Sequence, residues 1–371
     1  MYNKVCSTTL IMLLFLAGCL PTKSITVQTH GIIQPMIGVA LIGNPVSTGI
    51  PAPVSAASLT GTPVSTSTAM PVIIATPTGT PISTSTVVPA TLAPYELLNL
   101  DLQAQSAILF DATTGKVLYA KSAHQKIYPA SLTKIMTAIL ALEYFKANEN
   151  IRVGDEAHLA WNSERIDATK AGLNYGQKLT MKELLYGLLL ASGSDAAIII
   201  AVNVAKRESG NDFLPNDQAL TNFYALMNQK AKSIGAVETN FTSPDGIQDP
   251  SHYSTAYDLA LIAQYAMQDP QFRKIVAAPT YTAQIVTQAG EMDSRAWGNT
   301  NLLIRPQNEH YYAMANGIKT GTTLEAGHCL ISSAMVGGHL VIAVVLNSTQ
   351  EGVWSDSITL LEYANDKPSK K

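Results

Sequence analysis

The chain has 371 residues, with 24 Lys and Arg against 27 Asp and Glu, for a net charge of −3. That length holds one large domain or two ordinary ones, and the charge argues against a nucleic-acid partner. Of three cysteines, Cys6 lies in a leader-like segment and Cys19 at its end, leaving Cys329 alone in the folded part. Disulfide usage therefore gives no reading of redox compartment.

The first residues hold Lys4, an apolar run from Leu10 to Leu16, and then Ala17-Gly18-Cys19. A basic residue, a short apolar core and small residues before a cleavage point form a signal-peptide pattern. The run is too short to span a bilayer. Leu16-Ala17-Gly18-Cys19 resembles the lipobox of bacterial lipoproteins, which implies cleavage after residue 18 and lipid on Cys19. Several acyl chains on one residue give stable anchoring, where one chain is marginal. The alternative is an ordinary secretory signal cut elsewhere.

From Ser24 to Tyr95 there is no Asp, Glu, Lys or Arg. The stretch is rich in Thr, Pro, Ser, Val and Ala. Gly61-Thr62-Pro63-Val64-Ser65-Thr66-Ser67-Thr68 returns 18 residues later as Gly79-Thr80-Pro81-Ile82-Ser83-Thr84-Ser85-Thr86. Its prolines forbid a regular helix or a central strand, so residues 19–95 read as a disordered stalk behind the lipidated Cys19.

At Glu96 a globular composition begins. Ala107–Asp111 and Lys116–Tyr119 read as two strands joined by a Thr113-Thr114-Gly115 turn. Tyr128-Pro129-Ala130-Ser131 opens a helix reaching about Ala147, with Leu132, Ile135, Met136 and Ile139 at helical spacing. Thr180-Met181-Lys182-Glu183 is a capping box for a helix from Met181 to Ala191. Ser192-Gly193-Ser194 interrupts it, and a second helix follows from Asp195 to about Lys206 with Ser194 as its cap. Further helices are expected from Asp217 to Ile234, closed by Gly235, and from Thr255 to about Met267. From Pro279 the pattern turns to strands, including Gly317–Thr320, then a hairpin of Cys329–Met335 and His339–Leu346, and a closing helix from Val353 to Ala364. Strands at both ends with helices between them predict one α+β domain over residues 96–366, followed by a basic tail at 367–371.

Three pieces carry chemistry. Ser131 and Lys134 are three apart on one helix face, where a Lys held neutral takes the hydroxyl's proton. Ser192-Gly193-Ser194 sits in a tight link between helices. Lys319-Thr320-Gly321 sits on a strand edge. Each alone is weak, since a Ser at a helix start is ordinarily only a cap. The set in this order is the motif trio of penicillin-binding proteins and class A β-lactamases.

The resemblance then becomes specific. Asp111-Ala112-Thr113-Thr114-Gly115-Lys116-Val117-Leu118, Pro129-Ala130-Ser131-Leu132-Thr133-Lys134-Ile135-Met136-Thr137, His252-Tyr253-Ser254-Thr255-Ala256-Tyr257-Asp258-Leu259-Ala260, Asn299-Thr300-Asn301-Leu302-Leu303 and Gly317-Ile318-Lys319-Thr320-Gly321-Thr322 resemble the D-alanyl-D-alanine carboxypeptidases. These are low-molecular-mass penicillin-binding proteins of the S11 serine peptidase type. The similarity covers residues 96–366. It implies a serine β-lactamase/transpeptidase fold: an antiparallel sheet flanked by helices, plus a helical lobe. It implies peptidoglycan stem peptides as substrate, β-lactams as inhibitors, no cofactor and no metal, in the cell envelope outside the cytoplasm.

The resemblance also implies roles. Ser131 attacks the carbonyl between the two terminal D-alanines. Lys134 is the base, its pKa depressed by burial and by Lys319 as the nearby cation. Ser192 relays a proton to the leaving amine. Lys319 and Thr320 engage the terminal carboxylate, Gly321 and Ser194 are further substrate-binding positions, and the N–H groups of Ser131 and Thr322 form the oxyanion hole. Arg295 is a further candidate for carboxylate binding, with an ordinary surface Arg as the alternative. The deacylating base is not named.

Two departures stand out. The second motif ends in Ser194 where the family usually has Asn, whose amide both donates and accepts at longer reach. Many members also carry a C-terminal β-domain and amphipathic anchor, where here about fifty residues follow Lys319. The histidines show no metal spacing, no Gly-x-Ser-x-Gly elbow occurs, and Cys329 reads as buried and inert. The competing readings are a β-lactamase or D,D-endopeptidase on the same fold, and a catalytically silent wall-binding lipoprotein.

Overall fold

The computed structural model describes residues 100–366, apart from 163, 164 and 166. The signal peptide, Cys19, the stalk and the basic tail lie outside the described residues. Among these residues no helix is long and apolar enough to cross a membrane.

Strands β1 (Ser106–Asp111) and β2 (Lys116–Lys121) make the opening hairpin. A 3-10 turn, Ala130–Thr133, runs directly into α1 (Lys134–Tyr144). Phe145 is extended, so this helix stops three residues before the expected Ala147. Then come β3 (Asn150–Arg152), β4 (Lys178–Thr180), α2 (Met181–Leu189), α3 (Ser194–Ser209) and α4 (Asn216–Ile234). The capping box at Thr180 and Glu183 forms in full. Next are α5 (Ala256–Ala266) and α6 (Pro270–Val276), then β5 (Thr280–Val286) and β6 (Met292–Gly298). The chain closes with β7 (Ala315–Thr323), β8 (Gly327–Val336), β9 (His339–Ser348) and α7 (Gly352–Asp366).

The main sheet is antiparallel throughout, in the order β2-β1-β9-β8-β7. Both its faces are covered, because successive side chains on a strand point to opposite sides. Ile108, Phe110, Ile342 and Val344 join one core, shared with α1 and α5. Ala107, Leu109, Ala343 and Val345 join the other, under α7. This is why β1 and β9 read as continuous apolar runs rather than alternating ones. A second sheet, β3-β4-β5-β6, supports the helical lobe.

In the lobe α3 is the central helix: every residue from Ser194 to Val202 is buried. A helix apolar all round belongs in an interior, and Ile198, Ile199 and Ile200 pack there among small alanines. Its N-terminus corrects one expectation. Gly193, not Ser194, is the N-cap, Ser194 is the first helical residue, and no cap side chain bonds the helix.

Candidate active site

The first turn after Pro129 sets the geometry. Ala130 has φ 48°, a left-handed value that costs a non-glycine residue energy and recurs at functional turns. It delivers Ser131 at the start of the 3-10 turn with Lys134 one turn on. Lys134 Nζ lies 2.9 Å from Ser131 Oγ and donates to the Asp245 carbonyl at 2.8 Å. The lysine is 1% exposed. Burial pushes its pKa down to about 8, against the pull of the Asp245 and Asp195 carboxylates; Arg165 and Lys170 push it down further. Lys319 is buried nearby, and the repulsion between the two ammonium groups acts on both lysines. Burial first, then the charge on Lys134, push Lys319 well below its ordinary value.

Ser192 also takes a left-handed value, with φ 57° in the link between α2 and α3. Gly193 beside it is required by space, since a Cβ there would lie 2.7 Å from the Ala171 Cβ and 2.9 Å from its backbone N. Lys319, also 1% exposed, donates from Nζ to Ser192 Oγ at 3.0 Å and to the Thr320 carbonyl at 3.0 Å. Thr320 Oγ1 and Thr300 Oγ1 are 2.6 Å apart. The Asn-Thr-Asn segment holds strand β7 in place: Asn301 Nδ2 donates to the Gly317 carbonyl at 2.9 Å, and Asn299 Nδ2 to Val276 and Ala278. A Cβ on Gly321 would come 2.9 Å from the Pro129 carbonyl and 3.2 Å from the Ser131 N, so β7 runs hard against the Ser131 turn.

A cavity of about 360 Å³ opens at Ser131, lined also by Ser194, Asp245, Thr322 and Glu325 among others. Arg295 is not part of it. Its guanidinium donates to the Gly172 carbonyl and pairs with Asp293 at 2.7 Å, so it ties β6 to the 171–173 loop instead of meeting a carboxylate in the cleft.

Sequence reasoning missed a second layer. Arg165 Nε pairs with Asp245 Oδ2 at 3.1 Å, with both side chains buried. Burial raises the Asp245 pKa, but Lys134, Arg165 and the Ser194 hydroxyl together hold it below its ordinary value. Its Oδ1 has no hydrogen-bond partner among the described residues. Asp195 receives N–H bonds from Ala171, Gly172 and Leu173 and so shapes the wall beside Ser192. His252 accepts the Thr242 N–H at Nδ1, which assigns Nε2 as the donor to Thr133 Oγ1 at 2.8 Å. Burial drives its pKa down to about 4, so it stays neutral. No periodicity marks Arg165 or Asp245 as partners, because they are 80 residues apart. Among the described residues no cluster of three or more His, Cys, Asp or Glu could hold a metal ion.

The D-alanyl-D-alanine carboxypeptidase model of the S11 peptidases matches residues 91–350. This chain belongs to that family. Other S11 members agree. The D-alanyl-D-alanine carboxypeptidase DacF of Bacillus subtilis is 33% identical over 264 residues, covering 71% of this chain and 62% of the relative. The D-alanyl-D-alanine carboxypeptidase of Streptomyces sp. strain K15 is 36% identical over 252 residues, 67% of this chain and 83% of the relative. The crystal structure of the Streptomyces K15 DD-transpeptidase superposes with a TM-score of 0.65 at 33% identity, covering 71% of this chain and 98% of that one. The S11 chain therefore has the penicillin-binding fold expected from its motifs, while it spans only about six-tenths of the Bacillus relative.

Proposed function

We propose that this chain is a serine-type D-Ala-D-Ala carboxypeptidase, removing the terminal D-alanine from peptidoglycan stem pentapeptides. One observation carries the reading: Lys134 Nζ lies 2.9 Å from Ser131 Oγ, both lysines of the site are buried, and Lys319 binds Ser192 at 3.0 Å. Neutral Lys134 takes the Ser131 proton as Oγ attacks the penultimate carbonyl carbon. The oxyanion is received by the Ser131 and Thr322 N–H groups, donors typically worth about 2.7–4 kcal/mol each in such sites. The proton passes by way of Ser192 to the D-alanine nitrogen, and the C–N bond breaks. Lys319 and Thr320 hold the terminal carboxylate. Water then hydrolyses the Ser131 ester. β-Lactams imitate the scissile amide and acylate the same Ser131.

An amine acceptor in place of water would make the reaction a transpeptidation, the activity in the name of the Streptomyces K15 structure. The two outcomes share the acyl-enzyme. Incubation with a stem pentapeptide, with and without an added amino acid, separates them. Free D-alanine in one-to-one ratio with tetrapeptide supports the carboxypeptidase. A peptide–amine adduct as the main product supports transfer instead, and no D-alanine at all rejects both.

The same proposal places the enzyme outside the cytoplasm, held to a membrane by lipid on Cys19. Its support is the Leu16-Ala17-Gly18-Cys19 pattern and the uncharged stalk that follows.

A further inference from the structure

A second cavity, of about 410 Å³, opens beside the first, and Glu325 lines both. Its other walls include Gln105, Lys126, Tyr128, Tyr253 and Asn347. None of these has a part in the chemistry described above. Resting on the proposed carboxypeptidase reading, we propose that this cavity is a distal subsite that binds the amino-sugar end of the substrate, a muramyl glycopeptide.

Direction along the cleft is the first argument. β7 passes Lys319 and Thr320, where the terminal carboxylate sits, then Thr322 at the oxyanion, and then leads to Leu324 and Glu325. A peptide whose carboxyl end lies at Lys319 therefore sends its amino end past Glu325, toward the second cavity. In a stem peptide that amino end carries the sugar.

Reach is the second argument. Four residues separate the scissile carbonyl from the sugar linkage, about 13 Å of extended chain at about 3.3 Å per residue. Tyr128 is three residues before Ser131, so the near wall of the cavity lies within roughly 11 Å of the nucleophile. The complete stem is long enough to reach it, and a tripeptide fragment ending in D-Ala-D-Ala, with two residues on that side of the scissile bond, carries no sugar to fill it.

The chemistry of the walls is the third. Two tyrosines give apolar faces with polar tips, two amides offer paired donors and acceptors, and Lys126 and Glu325 add one charge of each sign. Hydroxyls and an N-acetyl group on a pyranose match such a mixture; a lipid chain or a polyanion does not. The walls are also set in advance. Asn347, held at φ 49°, donates from Nδ2 to Gln105 Oε1, while Gln105 N donates to the Asn347 carbonyl at 3.2 Å. Lys126 Nζ lies 4.2 Å from the centre of the Tyr253 ring. A site fixed before binding loses less freedom when it is filled.

The test compares three substrates by D-alanine release: an acetylated tripeptide ending in D-Ala-D-Ala, the acetylated pentapeptide, and the muramyl pentapeptide. The expected wild-type result is a kcat/KM at least about tenfold higher for the muramyl compound than for the acetylated pentapeptide. In a Lys126→Ala/Gln105→Ala variant that advantage disappears, while the tripeptide rate and penicillin acylation stay unchanged. Both side chains are exposed, so the fold tolerates their loss. Calorimetry of a muramyl tripeptide lacking both D-alanines reads the subsite without catalysis. Binding to the wild type that the double variant loses supports the subsite even if no substrate is turned over, an outcome that would reject only the carboxypeptidase reading. Equal kcat/KM for both pentapeptides together with no muramyl tripeptide binding overturns the subsite, as does a variant that slows all three substrates alike.

Discussion

In the proposed mechanism Lys134 decides whether Ser131 is a nucleophile, and its protonation state is set first by burial and then by named neighbours. With a pKa of about 8, only a minor fraction is neutral at pH 7. Because the neutral amine is the base, penicillin acylation is expected to rise with pH and level off above about 8; stopped-flow acylation from pH 6 to 10 checks it. Lys134→Ala should nearly abolish acylation. Asp245 and Asp195 stabilise the ammonium and Arg165 opposes them. Arg165→Gln should therefore move the rising limb to higher pH and lower acylation at neutral pH by roughly three- to tenfold. An unmoved limb with a lower melting temperature would mean that Arg165 acts on stability alone. Ser194 is tested in the same assay. Its hydroxyl is not a helix cap and acts on the Asp245 carboxylate. Ser194→Ala should slow acylation by about ten- to a hundredfold, equivalent to about 1.5–3 kcal/mol if the lost contact acts in the transition state. Ser194→Asn should acylate at least as fast as wild type, since an amide both donates and accepts at longer reach than the hydroxyl.

At the scale of elements, the site exists because separate segments press against the 3-10 turn of Ala130–Thr133. Gly246, at φ 83°, passes so close that a Cβ would clash with the Ala130 carbonyl oxygen. Gly246→Ala should therefore cost more than about 2 kcal/mol and displace Ser131; a calorimetric melt and an acylation rate would both fall. Which elements were legible follows from what local sequence encodes. Long amphipathic or apolar runs announced α1 to α5, α7 and the β8–β9 hairpin, and the Thr180 capping box marked its helix start. Strands β3 and β4 are three residues each and show no period to detect. Helix α6 was missed although Asp269-Pro270 is a start signal, with Asp269 accepting from the Gln271 and Phe272 N–H groups. The site divides the same way. Ser131, Lys134, Ser192 and Lys319 sit in contiguous motifs and meet as pairs. Arg165 and Asp245 meet only through tertiary folding, and Arg295 turns to Gly172 and Asp293 for the same reason. Cys329 is buried as read, with its thiol pushed up to about 12.

For the whole molecule, the proposed reading gives catalysis and anchoring to different parts of the chain. Both cores and the cleft are built from the described residues, 100–366. Removing residues 1–95 should leave acylation and melting temperature unchanged while abolishing membrane association. Cys19→Ala in the full chain should release the protein from membranes or leave its precursor uncut; unchanged processing and association would reject the lipid anchor. The central claim is that Ser131 forms an acyl-enzyme with a D-Ala-D-Ala-like amide. Mass spectrometry of the penicillin-treated protein tests it most directly. The account expects one drug mass on the tryptic peptide containing Ser131, absent in Ser131→Ala. Drug mass on another peptide, or none at saturating penicillin, would contradict it.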